Sequence, residues 1–293
     1  MNEITLSEKY EKFTTEKDFD FSKRSTIACG GFAPVAIYPQ TVDECKTLLQ
    51  YLKEDDLPYV VVGNLSNVLP CSGIYNKVVV CTKRLRNMLY EKEVFVEAGI
   101  TSGAFLRACK IQGLSGGEFL TGIPCTLGGA LYMNAGVAGG HIGDIVESVT
   151  VVRDGEIVTL QKNECGYAYK KSAFMRSQDC IVGANLRLYK ASEKEILEKI
   201  RSYAKRRTHL PKGKSMGCVF KNPDGVSAGQ LIECAGLKGF RVGGAYISPL
   251  HANFILNDGN ATTAQIKTLI AIIKNAVFAQ YNIRLEEEIR YLE

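Results

Sequence analysis

The sequence predicts an α+β fold in two domains, on three observations. Apolar residues make up 46% of 293 residues and charged residues 23%, ordinary globular usage in a chain long enough for two cores. Runs of β-branched residues and amphipathic stretches of helical period are mixed irregularly rather than as a regular βαβ array. The chain also breaks near residues 190–212, where an amphipathic helix ends before Pro211. The division expected is an N-terminal extension over 1–20, a first domain over 21–190 and a second over 191–293.

Thr41-Val-Asp-Glu44 reads as a capping box, and Val42, Cys45, Leu48, Leu49 and Leu52 then recur at helical spacing, predicting a helix to about Asp55. Short strands follow at Tyr59 to Val62, Lys77 to Thr82 and Val94 to Ala98, each bounded by Gly, Pro or Asn. Ser102 to Ile111 is a second helix, ended by Gly113, and a long Gly-rich stretch continues to Gly143. Glu147 to Leu160 alternates about Asp154-Gly155, a pair that tolerates the positive φ of a tight hairpin. Ile181 to Tyr189 is a strand. Ser192-Glu-Lys-Glu195 caps a helix with Ile196, Leu197, Ile200, Tyr203 and Ala204 on one side. Gly213 to Met216 reads as a loop, the runs around Val219 and Phe254 as strands, and Ile266 to Val277 as a closing helix.

Thirty-six Lys and Arg against 31 Asp and Glu leave +5, which suits anionic small molecules and supports no nucleic-acid claim. The first 21 residues are charged throughout, and no apolar run reaches the roughly 18 residues of a membrane span. A cytoplasmic protein without a membrane partner is expected. Ten cysteines never form C-x-x-C, so neither zinc nor a redox dithiol is indicated, and most are expected to be small buried hydrophobes. His141 and His209 form no metal set, and His251, inside an apolar run, reads as structural.

The most unusual stretch is Gly116 to Gly136. Its glycines allow close backbone approach to a diphosphate-bearing cofactor, or equally build a structural loop. No Rossmann or Walker pattern is present. Arg206, Arg207, Lys212 and Lys214 attract diphosphates on one reading and form a solvated face on the other.

Ordered motifs settle on one family. They are Thr26 with Gly30-Gly31, Gly63 with Ser66-Asn67, Val96-Glu-Ala-Gly99, Gly122-Ile-Pro124, Gly128-Gly-Ala130 and Met133-Asn-Ala-Gly136. Tyr169 and Ser172, Val219-Phe-Lys-Asn-Pro223, Ala228-Gly229, Gly236-Leu-Lys-Gly239, His251-Ala-Asn-Phe-Ile255 and Glu288-Ile-Arg290 follow. From about Arg24 onward the chain resembles the UDP-N-acetylenolpyruvoylglucosamine reductase (MurB) family in its compact type. The resemblance implies an FAD-binding domain of the vanillyl-alcohol-oxidase (PCMH) type followed by a smaller α+β substrate-binding domain. It further implies reduction of FAD by NADPH, hydride delivery from flavin N5 to the enolpyruvyl C3 of a UDP-sugar, and protonation at C2, in peptidoglycan precursor synthesis. It implies nothing about oligomeric state.

Carried over residue by residue, the family's enolate-stabilising Arg in Y-R-x-S falls on Lys170, its proton-donating Ser in G-S-x-F on Cys218, and its Glu on Glu288. Lysine keeps the cation but lacks the bidentate fork of arginine, and Lys171 is the neighbouring substitute. A thiol, ordinarily near pKa 8.5, is acidic enough to donate, and is exposed to oxidation. The cofactor is expected on Gly63, Asn64, Leu65, Ser66 and Asn67, on Gly122, Ile123, Pro124, Cys125 and Thr126, and on Gly128, Gly129, Asn134 and Gly136. The sugar is expected on Lys221, Asn222 and Lys238, with Glu233 nearby, and no metal is implied. Leu65 and Cys125 stand where the family has glycine, at about 1–3 kcal/mol each if strain is held. The substitutions leave room for two alternatives: a weakly active or non-catalytic paralogue that binds a nucleotide-sugar or protein partner, and a flavoprotein with another substrate.

Overall fold

The structure, a computed structural model, describes residues 6–90 and 93–293. Residues 1–5 of the expected extension lie outside the described residues. The remainder of that extension is folded: Tyr10 and Phe13 are buried and the strand Thr14–Asp20 follows them.

Two compact units divide the chain, and neither follows a single cut. Among the described residues, one comprises 6–17, 35–64, 77–90 and 93–208; the other comprises 18–34, 65–76 and 209–293. The division expected at 190/191 therefore differs in three places: the helix Glu193–Arg206 belongs with the first unit, and two short N-terminal segments belong with the second.

The first unit holds two cores. In one, the parallel strands Tyr59–Val62 and Val78–Cys81 run in register Val60 to Val79 and Val62 to Cys81, covered by the helix Val42–Glu54 through Cys45, Leu48, Leu49 and Leu52. Thr41 caps that helix as expected, its hydroxyl accepting from the Glu44 N–H at 3.1 Å, which is worth about 1 kcal/mol. The second core lies on a five-stranded antiparallel sheet whose order is Glu156–Gln161, Val146–Arg153, Cys180–Leu186, Val94–Glu97, Met88–Tyr90. Asp154 (φ 50°) and Gly155 (φ 80°) make its hairpin turn, with Arg153 opposite Glu156. The helix Ser102–Ile111 forms as read. The Gly-rich stretch differs from a plain loop, since Leu127–Met133 is helical, with Leu127, Ala130 and Leu131 turned into the core.

In the second unit, four antiparallel strands in the order Lys214–Cys218, Phe254–Asn257, Ala245–Ile247, Arg241–Val242 carry the helices Ala228–Cys234 and Thr263–Tyr281. The closing helix buries Ile266, Leu269, Ile270, Ile273 and Val277 against Ile27, Cys29 and Leu69 in one core. Residues 214–218 are a strand rather than the expected loop, and Val219 falls just beyond it. The strand is specified by its partner 254–257, a relationship local sequence does not display. All ten cysteines are free thiols, seven of them buried.

Candidate functional site

Within the first unit, two turns expected at the cofactor are brought together. Asn64 Nδ2 donates to the Pro124 carbonyl at 2.7 Å, and Lys83 Nζ donates to Asn64 Oδ1 at 3.0 Å. A Cβ on Gly63 would stand 2.2 Å from Thr126 Oγ1, so only glycine lets these turns meet. The far side is tied as well: Ser102 Oγ donates to the Ile123 carbonyl, the Ser102 N–H to the Cys125 carbonyl at 3.0 Å, and Thr101 bridges Thr126. Thr126 caps the helix Leu127–Met133, and the Gly128 N–H is spent on the Ala98 carbonyl at 2.8 Å. Arg207 lies across Gly122, where a Cβ would be 2.9 Å from its Nε, and Arg206 Nη1 donates to the Ala138 carbonyl at 3.1 Å. Both arginines of the basic pair thus bear on the Gly-rich stretch.

The two lost glycines have different consequences. Leu65 takes φ 50°, the left-handed conformation its family glycine would hold freely, and is buried at 5% exposure. Cys125 has ordinary φ and belongs to the core of the antiparallel sheet; burial pushes its thiol up to about 12, so it carries no thiolate. Neither side chain stands out from the surface. A Cβ at Gly129 would meet only Thr126 Oγ1, at 3.5 Å, and the Tyr167 hydroxyl is buried with no protein partner. The open position at Gly129 and the cations Lys83, Arg206 and Arg207 beside the two turns fit a dinucleotide cofactor.

Lys170, at φ 52°, sits in a two-residue turn closed by mutual Ala168 and Lys171 backbone bonds of 3.1 Å. Asn134 has both amide ends engaged, Oδ1 accepting from the Gly143 N–H at 3.0 Å and Nδ2 donating to the Ala168 carbonyl at 2.8 Å. Gly136 pairs with His141 in a short hairpin.

In the second unit, Cys218 ends the strand Lys214–Cys218 beyond a bulge: Ser215 faces Leu256, whereas Cys218 faces Phe254. Gly217, at φ 76°, makes that bulge, a common device for re-aiming a side chain. Next in the chain, Val219 accepts from the Glu288 N–H at 2.8 Å and donates to the Asn253 carbonyl at 2.8 Å. Asn67 Nδ2 donates to the Glu288 carbonyl at 3.0 Å. Cys218, Glu288 and Asn67 therefore converge on one backbone junction. Asn253, which the motif His251 to Ile255 contains without a role, clamps it: Oδ1 accepts from the Phe220 N–H at 2.9 Å and Nδ2 donates to the Phe220 carbonyl at 2.8 Å. A buried amide inside the apolar run Ala252 to Ile255 was its signal.

Of the expected sugar contacts, Lys221 pairs with Glu286, Asn222 Oδ1 accepts from the Ala228 N–H at 3.0 Å at a helix start, and Lys238 pairs with Glu233 at 2.7 Å. His251 is structural as read. Its Nδ1 accepts from the Asn253 N–H at 3.2 Å, and burial pushes its pKa down.

Comparison with known proteins places these features in context. A family model described as UDP-N-acetylenolpyruvoylglucosamine reductase, C-terminal domain, matches residues 208–292, and one described as FAD binding domain matches 33–161. The UDP-N-acetylenolpyruvoylglucosamine reductase of Alkaliphilus oremlandii is 36% identical over 93% of this chain and 91% of its own. That of Geobacter metallireducens is 39% identical over 94% and 92%. The crystal structure of the Thermus caldophilus enzyme superposes with a TM-score of 0.83 at 34% identity, covering 95% of this chain and 99% of that one. A solvent-stable cholesterol oxidase, at TM-score 0.50 and 19% identity over 64% of this chain and 40% of that one, shares the fold alone.

Proposed function

The chain belongs to the UDP-N-acetylenolpyruvoylglucosamine reductase family, and from that premise we propose how its own residues carry the reaction. It is an FAD-dependent reductase that uses NADPH to convert UDP-N-acetylglucosamine enolpyruvate to UDP-N-acetylmuramate. FAD supplies the hydride relay between the two substrates. The turns at Gly63-Asn64 and Gly122 to Thr126 would hold the cofactor, and Lys83, Arg206 and Arg207, which contact Asn64, Ala138 and Gly122, would supply positive charge to an anionic group bound there.

Lys170 places an ammonium where the substrate carboxylate and C2 gain negative charge, the larger part of what the family's arginine provides. Cys218 Sγ holds the proton that C2 takes, and a thiol gives it up more readily than the serine of the family would. Glu288 lies one hydrogen bond away along the backbone and shares in stabilising the enolate. Lys221 and Asn222 follow in the same segment and border the sugar. The observation that carries this reading is the junction at Val219, whose carbonyl takes the Glu288 N–H and so ties the Glu288 segment to the residue that follows Cys218 at the bulged strand end. Substitution at two of three catalytic positions thus alters the groups and keeps their chemistry.

The test is the visible spectrum. Purified protein is expected to be yellow, to bleach with NADPH under anaerobic conditions and to recover on adding the enolpyruvyl sugar. Protein that stays colourless after incubation with FAD, yet is thermally stabilised by the UDP-sugar, would replace this reading with that of a non-catalytic paralogue.

A further inference from the structure

We propose that Asn134 and Ser172 are positioning residues for this reaction, jointly fixing the turn that carries Lys170, and that the Asn134 side chain acts on that turn rather than on the cofactor. The inference rests on the family reading above. Lysine at φ 52° is in a conformation that L residues adopt only when their surroundings impose it. Two side chains, from opposite sides of the turn, impose it here.

Both anchors lead back to the end of one helix. Asn134 terminates Leu127–Met133 in the left-handed conformation, φ 45°. Its Oδ1 is fixed by the Gly143 N–H at 3.0 Å, which orients the amide plane and aims Nδ2 at the Ala168 carbonyl, 2.8 Å away. Gly143 admits this approach because it has no Cβ, which would lie 2.9 Å from both Asn134 Oδ1 and Tyr167 Cγ. On the other flank, Ser172 Oγ donates to the Tyr132 carbonyl at 2.6 Å. That carbonyl lies in the last turn of the helix, so the bond ties the residue just beyond the turn to the helix end. Asn134 is 6% and Ser172 2% exposed, so water does not compete for either bond. The turn from Ala168 to Lys171 is thereby suspended from a helix terminus, and the origin of the Lys170 side chain is set. Lysine is a point charge on a flexible stem, so its effect on a developing carboxylate depends on where that stem begins.

Asn134→Asp separates this role from cofactor binding. Aspartate tolerates the left-handed conformation and keeps the acceptor for Gly143, but faces the Ala168 carbonyl with an oxygen in place of a donor. Flavin content and the rate of bleaching by NADPH are expected to match the unsubstituted protein, while sugar-dependent reoxidation slows by about 10- to 100-fold. In a Lys170→Ala background the same substitution should change reoxidation by no more than roughly twofold, because the residue it positions is gone. Ser172→Ala should reproduce the pattern and Ser172→Thr restore most of the rate. Hydrogen exchange at the Lys171 amide, which closes the turn, should accelerate in Asn134→Asp in the protein without substrate.

Loss of flavin, equal slowing of both half-reactions, or effects that add to those of Lys170→Ala would each overturn the inference. So would unchanged exchange at Lys171. Unsubstituted protein that NADPH bleaches and the sugar fails to reoxidise would overturn the proposed function and this inference with it; the exchange measurement reports on the clamp independently of that outcome.

Discussion

Cys218 and Cys125 show how the same side chain takes opposite parts. Cys125 lies in a core, its thiol held neutral by burial, and its role is to fill volume where a glycine would leave a gap. Cys218 is half-buried at a strand end, one residue before the Val219–Glu288 backbone bond, and the part proposed for it is that of proton donor. Cys218→Ala is expected to leave bleaching by NADPH within about twofold and to slow sugar-dependent reoxidation by about 10²–10⁴-fold, the usual range for losing a positioned general acid. Rapid-mixing absorbance at the flavin band measures both steps, and an unchanged second step would remove Cys218 from the reaction. Cys218→Ser should recover part of that loss. A thiol-directed reagent should modify Cys218 and Cys234, which reach solvent, well before Cys125.

The elements that local sequence specifies are those whose signals lie within a few residues. The cap at Thr41, the helix Ser102–Ile111 and the turn at Asp154-Gly155 each depend on a side chain or φ preference acting on its immediate neighbours, and each forms as read. Phe32–Tyr38 escaped because Pro34 interrupts its strand pattern, and Lys214–Cys218 because flanking glycines outweigh a pairing made 40 residues away with Phe254–Asn257. The site divides likewise. The motif residues were legible through family resemblance, whereas the bond from Asn134 to Ala168 joins residues 34 apart and leaves no trace in either segment alone. The bulge at Gly217 can be tested against a control. A Cβ would meet nothing within 4 Å at Gly217 (φ 76°) or at Gly225 (φ 75°), so Gly→Ala at either site costs conformational strain alone, about 1–2 kcal/mol by urea unfolding. Gly217→Ala is expected in addition to slow reoxidation by about tenfold or more through misplacement of Cys218. Gly225→Ala should leave it unchanged, and equal rates in the two variants would detach the bulge from the chemistry.

At the scale of the whole molecule, buried thiols make stability sensitive to alkali. Burial raises Cys109 and Cys125 to about 12 and Cys165 to about 11, well above the ordinary thiol range. Between pH 9 and 12 the unfolded chain therefore binds fewer protons than the folded one, and the slope of unfolding free energy with pH is negative. The stability is present below pH 9 and lost as pH rises through the folded values, by up to about 1.4 kcal/mol per pH unit for each thiol. Melting temperature should fall across that window, and less steeply in a Cys165→Ala variant. The division of the chain makes a stronger demand. A fragment cut at the linear boundary, residues 191–293, would lack Ile27, Cys29 and Leu69 from the core of the second unit. It would also lack the strand Val68–Pro70 that pairs with Arg290–Leu292, the Ile27 and Ala28 carbonyls that Asn257 Nδ2 bonds, and the Pro70 carbonyl that takes the Thr263 hydroxyl. Asn257 and Thr263 are buried, so each lost partner leaves a polar group unsatisfied at about 1–3 kcal/mol. Those costs together approach the 5–15 kcal/mol total of an ordinary domain. The fragment alone is expected to show no cooperative thermal transition by circular dichroism, and a cooperative melt would mean that residues 18–34 and 65–76 are dispensable to the core they enter.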